Sequence, residues 1–77
     1  MNIKVLGPGC AKCDKTEKMI KAYMEKHGID AQVAKVSDMM EIAGFGVFST
    51  PAVVIDGEVK LSGRVPKDKD LKTWFGK

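Results

Sequence analysis

The order of apolar patterns along the chain restricts its fold more than any other feature of the sequence. Short apolar runs, which predict strands, alternate with segments of helical spacing. The predicted strands are Ile3–Leu6, Ala31–Val36, Pro51–Ile55 and Glu58–Leu61. The predicted helices cover about residues 10–27, Ser37 or Asp38 to Gly44 or Gly46, and Pro66 to about Phe75. This alternation predicts an α/β domain with helices packed on a small mixed sheet.

Turn and capping residues support the limits of these elements. Gly28 and His27 stand at the predicted end of the first helix, where glycine accepts the left-handed conformation and histidine interacts favourably with the helix dipole. Glu41 is predicted to complete a capping box at the start of the second helix. The Asp56-Gly57 pair predicts a two-residue hairpin turn between the last two strands.

The length of 77 residues suits one domain, which we predict over residues 1–77. A chain of this size buries only about 60% of the surface that it exposes when unfolded. It therefore has no room for a large enclosed active site, and its chemistry must lie at the surface. No apolar run approaches the roughly 18 residues of a membrane span, and the N-terminus shows no leader pattern. We expect a cytoplasmic monomer without a membrane partner.

The net charge is +3, from 13 basic and 10 acidic side chains. The densest basic stretch, from Lys12 to Lys26, contains Asp14, Glu17 and Glu25, so it is typical of a solvated helix face. A nucleic-acid-binding face would need clustered basic residues, and we expect no nucleic-acid partner.

The two cysteines, Cys10 and Cys13, are the residues that point most directly to a chemical activity. A disulfide between them would close a loop so short that it would add at most about 2 kcal/mol of stability. Such a pair is a poor structural brace, and in a cytosolic chain it indicates redox or metal chemistry.

The placement of the cysteines at the start of the first helix favours redox chemistry. Free N–H groups at a helix N-terminus stabilise a thiolate, so we expect the pKa of Cys10 to lie below the value of about 8.5 for a free thiol. Lys12 adds a positive charge nearby and is predicted to modulate that pKa. Cys13 lies one turn later on the same face, on the side toward the core. This arrangement predicts an attacking thiol at Cys10 and a resolving thiol at Cys13.

The Ser49-Thr50-Pro51 segment directly precedes the most apolar predicted strand. Because proline cannot donate to a sheet ladder, it suits the first residue of a strand. Taken alone, Pro51 is therefore a strand starter.

Together, these motifs resemble the thioredoxin/glutaredoxin superfamily. The residues concerned are Cys10-Ala11-Lys12-Cys13 after a first strand and Thr50-Pro51 opening the third. The stretches from Thr50 to Gly57 and from Ser62 to Pro66 are similar to small single-domain thioredoxin-like proteins of archaea and anaerobic bacteria, also called redox-active disulfide proteins. The resemblance covers essentially the whole chain, and it implies a thioredoxin-like fold of order βαβαββα with a four-stranded mixed sheet and three helices.

The resemblance also implies a function. The chain would be a protein-disulfide reductase and electron carrier in cell redox homeostasis, with Cys10 attacking and Cys13 resolving. Pro51 would be cis and lie against the sulfurs, and Thr50 would pair with an extended substrate chain. The redox group would be the Cys10-Cys13 disulfide, with no bound cofactor. The partners would be disulfide-containing proteins and a flavoprotein similar to thioredoxin reductase.

Two positions depart from the patterns of larger relatives. Thioredoxins place a buried carboxylate on the first strand to help deprotonate the resolving thiol, and this chain has Lys4 there. Glutaredoxins carry a Gly-Gly-x-Asp-like segment for glutathione, of which only Gly63 remains, followed by Arg64. Glutathione is therefore not expected as the dedicated reductant.

Two other classes of function remain open. A soft-metal carrier of copper-chaperone type would use the same two thiolates, although a Thr-Pro pair opening a strand does not belong to that pattern. No zinc site is expected, because zinc needs four ligands and His27 lies about 20 Å from Cys13 along the helix. An interaction module is the third class. Phe45 and Phe48 would then form an apolar rim for docking proteins, whereas the methionines are expected to fill the core.

Overall fold

The computed structural model describes residues 1–9 and 11–76, and its elements follow the predicted order. The strands are β1 Asn2–Leu6, β2 Gln32–Val36, β3 Ala52–Ile55 and β4 Glu58–Ser62. The helices are α1 Ala11–His27, α2 Met39–Gly44 and α3 Asp68–Phe75. The predicted α/β fold, with its order βαβαββα, is confirmed.

The sheet has the strand order β2-β1-β3-β4. Strand β1 pairs in parallel with β2 and antiparallel with β3, and β3 pairs antiparallel with β4. The parallel pair requires a crossover connection, which α1 supplies. The sheet is therefore mixed, as predicted, and β1 is one of its two central strands.

Side chains alternate across the sheet and form two separate apolar clusters. On the first face, α1 and α3 cover the sheet, and the buried members of this cluster are Ile3, Val5, Ile20, Val53, Ile55, Leu61 and Leu71. On the second face, α2 covers the sheet, and the buried members of this cluster are Leu6, Ile42, Val47, Ala52 and Val54. The core is thus divided by the sheet into two layers.

The ends of the helices differ in detail from the predictions. Asp38, rather than Ser37, caps α2, because its Oδ1 accepts a hydrogen bond of 2.8 Å from the N–H of Met40. Helix α3 begins at Asp68 and not at Pro66. The carboxylate of Asp70 accepts a 2.9 Å hydrogen bond from the N–H of Lys67, which satisfies a donor at the start of the helix.

The beginning and end of α1 were predicted at residues 10 and 27. The helix ends at His27, and Gly28 follows with a φ of 62°, the left-handed conformation that ends many helices. The predicted first residue, Cys10, lies outside the described residues.

The limits of the strands are close to those predicted. Strand β2 begins one residue after Ala31, β3 begins one residue after Pro51, and β4 continues one residue past Leu61. The Asp56-Gly57 hairpin is confirmed. Both residues have positive φ, 50° and 84°, as expected for the turn that matches the twist of two paired strands.

Candidate active site

The turn between β1 and α1 brings the chain to the start of the helix. Gly7 follows the last residue of β1, and its N–H donates a 2.8 Å hydrogen bond to the carbonyl oxygen of Val36. This bond extends the pairing with β2 beyond Leu6 and holds the backbone of Gly7 in place. Pro8 and Gly9 then turn the chain outward, and both are exposed.

Cys13 lies in the first turn of α1 with none of its surface exposed. Its side chain packs directly against the backbone of Gly7: a Cβ atom built on Gly7 would lie 2.1 Å from the Sγ of Cys13 and 2.8 Å from its Cβ. The predicted position of Cys13 toward the core is therefore confirmed. The proposed attacking residue, Cys10, lies outside the described residues.

The Thr50-Pro51 segment reaches the same place from the other side. The Thr50-Pro51 peptide bond is cis, as the resemblance implied. Pro51 is buried, and its carbonyl oxygen accepts a 2.9 Å hydrogen bond from the N–H of Gly63. The Cβ of Thr50 lies 3.9 Å from the position that a Cβ on Gly7 would occupy. Gly7 is therefore the point at which Cys13 and Thr50 meet.

Comparisons with known proteins assign the chain to a family. The sequence profile of a family described as "Thioredoxin domain" matches residues 1–76. A thioredoxin of Methanocaldococcus jannaschii is 40% identical over 70 residues, which cover 91% of this chain and 80% of that protein. A thioredoxin of Methanothermobacter thermautotrophicus is 36% identical over 72 residues, which cover 94% of each chain. The chain belongs to the thioredoxin family.

Membership of the thioredoxin family confirms the predicted superfamily and gives the chain a general role in thiol–disulfide oxidoreduction. It does not by itself assign roles to individual residues. The roles of Cys10, Cys13, Thr50 and Pro51 therefore remain predictions at this point.

Lys12 is exposed on the first turn of α1. Its carbonyl oxygen accepts a 2.8 Å hydrogen bond from the hydroxyl of Thr16, which is completely buried. The hydroxyl of Thr16 is thereby satisfied without leaving the helix. The exposure of Lys12 agrees with a charge near the helix start, and its effect on Cys10 stays a prediction.

An ion pair beside this site was not predicted. The Nζ of Lys35, on β2, donates a hydrogen bond to the Oδ1 of Asp14, the residue after Cys13. This bond and the charge of Lys35 lower the pKa of Asp14, and the same bond raises the pKa of Lys35. The pair joins the first turn of α1 to the neighbouring strand. No pattern within either local segment could have revealed it.

The predicted apolar rim is only half present in this thioredoxin-family chain. Phe48 is 92% exposed and lies two residues before Thr50. Phe45 is partly buried against the second cluster, and the Nζ of Lys4 lies 5.2 Å from the centre of its ring. The expectation that methionines fill the core is wrong for Met39 and Met40, which are 61% and 83% exposed.

Sequence reasoning also missed the role of Gly7 in this thioredoxin-family site. The Gly7-Pro8-Gly9 run has the composition of a turn, and this local pattern predicts nothing more. The φ of Gly7 is not among the positive values of the chain's glycines, so its backbone does not require glycine. What requires glycine is the proximity of the Cys13 side chain, and a local turn signal carries no information about that distance.

His27 lies at the opposite end of α1 from Cys13, with its ring 4.3 Å from that of Tyr23. Within residues 1–9 and 11–76, no group of three or more His, Cys, Asp or Glu residues could hold a metal ion. In the same residues, no helix has the length and apolarity needed to cross a membrane.

Proposed function

We propose that this thioredoxin-family protein reduces disulfides in other proteins through the dithiol of Cys10 and Cys13. The observation that carries the proposal is the position of Cys13, completely buried in the first turn of α1 and packed against Gly7 next to Thr50. A cysteine without exposed surface is poorly placed to attack a bulky partner protein. It is suited to attack a disulfide formed by Cys10, three residues earlier in the chain.

The proposed reaction has two exchange steps. First, the Cys10 thiolate attacks one sulfur of the substrate disulfide, forming a Cys10–substrate disulfide, and the other substrate sulfur leaves as a thiolate that takes a proton. Second, Cys13 loses its proton and its thiolate attacks the Cys10 sulfur. The Cys10-Cys13 disulfide forms and the second substrate sulfur leaves. Two electrons pass to the substrate, so the substrate is reduced and the dithiol is oxidised.

We assign substrate binding to Thr50 and Pro51. Pro51 is buried and anchored through its carbonyl oxygen to Gly63, so the Thr50-Pro51 peptide has a fixed position. Thr50 is half-buried beside Gly7, and the exposed side chain of Phe48 lies two residues before Thr50 in the chain. The backbone of Thr50 would pair with an extended substrate segment, and Phe48 would contact apolar side chains of the partner.

We assign Lys12 the role of lowering the pKa of Cys10. The support is its exposed position two residues along the chain, at the helix end where the dipole already favours an anion. In a Cys13→Ser background, alkylation rates measured against pH should give a Cys10 pKa below about 8.5. Lys12→Glu should raise that pKa modestly, because exposed charges are screened.

Repeated turnover would also require a source of electrons. The protein would need no bound cofactor, since its redox group is the Cys10-Cys13 disulfide. A flavoprotein similar to thioredoxin reductase would return the oxidised form to the dithiol. We propose that the protein works as a cytoplasmic monomer.

The test is the contrasting behaviour of two serine variants. Cys10→Ser should abolish reduction of a protein disulfide such as that of insulin. In Cys13→Ser, Cys10 should still attack the substrate disulfide, but the mixed disulfide should not be resolved. Partner proteins should therefore accumulate as mixed disulfides that dithiothreitol removes. Ala22→Ser, at an exposed position of α1, is the matched control and should behave like the wild type.

The soft-metal carrier predicts a different result from the same proteins. Neither serine variant would then trap a partner, and the wild type would bind Cu(I) tightly in reducing buffer without turning over disulfides. That combination would replace the proposed reductase with the carrier. If Cys10→Ser were the trapping variant instead, the roles of the two cysteines would be reversed.

A further inference from the structure

We infer that Gly7 is a positioning residue for the resolving step, and this inference rests on the proposed function. Gly7 provides the space in which the sulfur of Cys13 lies. A Cβ at residue 7 would be 2.1 Å from that sulfur, well inside the 3.5–4.0 Å at which carbon atoms make favourable contacts. The sulfur of Cys13 therefore occupies the volume that a side chain at residue 7 would need.

The backbone around Gly7 cannot easily move to relieve such a contact. On one side, the N–H of Gly7 is bonded to the carbonyl oxygen of Val36. On another side, the Cβ of Thr50 lies 3.9 Å from the position of a Cβ on residue 7. Gly7 itself is buried. An added methyl group would thus lie between α1 and the segment before β3, on a backbone that is hydrogen-bonded to β2.

The side chain of Cys13 is the part most readily displaced. Its Cβ would also lie 2.8 Å from a Cβ on residue 7, so rotating the sulfur away would not remove the whole contact. Any adjustment has to shift the first turn of α1 or turn the Cys13 side chain from its present direction. Because reacting atoms must be held close to their productive geometry, either shift should slow the attack by Cys13.

Gly7→Ala should therefore affect the two steps of the reaction differently. The first attack uses Cys10, so Gly7→Ala should have little effect on it. The second attack uses Cys13, so Gly7→Ala should slow it. An alanine that only destabilised the fold would not distinguish between the steps.

The experiment follows both steps with a chromogenic aromatic disulfide, added in equal amount to the reduced protein in a stopped-flow absorbance measurement. Attack by Cys10 releases one coloured thiolate, and closure of the Cys10-Cys13 disulfide releases the second. For Gly7→Ala we expect the first release to stay within about twofold of wild type and the second to slow about tenfold or more. Gly44→Ala is the matched control, since an added Cβ there would meet nothing within 4 Å beyond its chain neighbours and its own helix backbone, and both phases should be unchanged.

Each other outcome has a definite meaning. If Gly7→Ala shows two phases at the wild-type rates, or slows both phases equally, the positioning role of Gly7 is wrong while the proposed function stands. If the wild type itself releases only one thiolate, the proposed function fails, whatever Gly7→Ala does.

A second measurement keeps the inference testable if Gly7→Ala folds poorly. Denaturant unfolding in excess reductant is compared for wild type, Gly7→Ala, Cys13→Ala and the double variant. Because Cys13→Ala removes the sulfur, Gly7→Ala should shift the unfolding midpoint less in that background. An equal shift in both backgrounds, or a double variant that is also unfolded, would overturn the inference.

Discussion

The two faces of the sheet differ in how completely their helices cover them. On the first face, α1 and α3 enclose seven buried apolar residues, and Tyr23, Met24, Trp74 and Phe75 pack around them. On the second face, α2 is six residues long and encloses five buried residues. Three of the most exposed apolar side chains, Met39, Met40 and Phe48, belong to α2 or to the loop after it.

The proposed active site uses both kinds of region. Cys13 comes from α1, whose buried side chains pack against the sheet on the first face, and Gly7 leaves it no spare volume. Thr50 follows the loop that leaves the second face, where Phe48 is open to solvent. Dense packing thus holds the proposed resolving cysteine in place, and the thinly covered side presents apolar surface next to the proposed substrate-binding segment.

Replacing one buried isoleucine on each face with alanine should cause the largest losses of stability. Large-to-small substitutions of this type cost about 2–5 kcal/mol, depending on how well the surroundings collapse. Ile20→Ala should fall toward the upper end, because Ile20 is enclosed between α1 and the sheet. Ile42→Ala should fall toward the lower end, because the short helix α2 can settle into the space. Denaturant unfolding would measure both costs.

Met40→Ala provides the control for this comparison, since Met40 is 83% exposed and should change stability by no more than about 0.5 kcal/mol. Equal costs for Ile20→Ala and Ile42→Ala, or a larger cost for Ile42→Ala, would contradict the view that the second face is the looser one.

The cap of α2 should have an intermediate effect. The carboxylate of Asp38 accepts the N–H of Met40 at the start of the helix, and loss of such a cap typically costs about 1 kcal/mol. Asp38→Ala should therefore reduce the free energy of unfolding by about that amount. Ser37→Ala, one residue earlier, is the matched control. A loss of stability from Ser37→Ala, with none from Asp38→Ala, would show that Ser37 and not Asp38 caps the helix.

The carboxylate of Asp70 anchors the start of α3. Its loss should lower the free energy of unfolding by a smaller amount, which should depend on pH. Hydrogen bonds from the Arg64 guanidinium, at 2.9 and 3.4 Å, and from the N–H of Lys67 lower the pKa of Asp70. Its folded pKa thus lies below the unfolded value of about 3.9. The stabilisation is present above the unfolded pKa and is lost as the pH falls through the folded pKa.

The measurement is the free energy of unfolding of wild type and Asp70→Asn from neutral to acid pH. Asp70→Asn should be less stable than wild type at neutral pH. The difference between their free energies of unfolding should become smaller below about pH 4. Asp68→Asn, which removes an exposed carboxylate in the same turn, is the matched control for the loss of one negative charge. A difference for Asp70→Asn that is constant with pH would mean that its charge does not stabilise α3.

Phe48→Ser should have the smallest effect on stability, within about 0.5 kcal/mol, because the side chain is 92% exposed. If the open side of the molecule receives substrate proteins, reduction of insulin should slow in this variant. Reduction of a small aromatic disulfide should not change. Val59→Ser, an exposed position on β4 toward the hairpin end, should slow neither. If Phe48→Ser slowed the reduction of both substrates equally, Phe48 would have no specific role in docking partner proteins.

Features that depend only on neighbouring residues could be predicted from the sequence. The alternation of apolar runs predicted the order of strands and helices, and Asp56-Gly57 predicted the hairpin turn. Helical spacing predicted that Cys13 faces inward. These predictions succeeded because backbone conformation and the direction of a side chain follow from local patterns. The cis peptide at Pro51 was predicted only through the family resemblance.

The distances between residues far apart along the chain become known only from the tertiary structure. It brought Gly7, Cys13 and Thr50 together and paired Asp14 with Lys35. It also buried Phe45 in part while leaving Phe48 exposed. None of these follows from local periodicity, because each depends on how β1, α1 and the segment before β3 pack, and close packing leaves little room for adjustment. The requirement for glycine at residue 7 is therefore a consequence of packing and not of its turn.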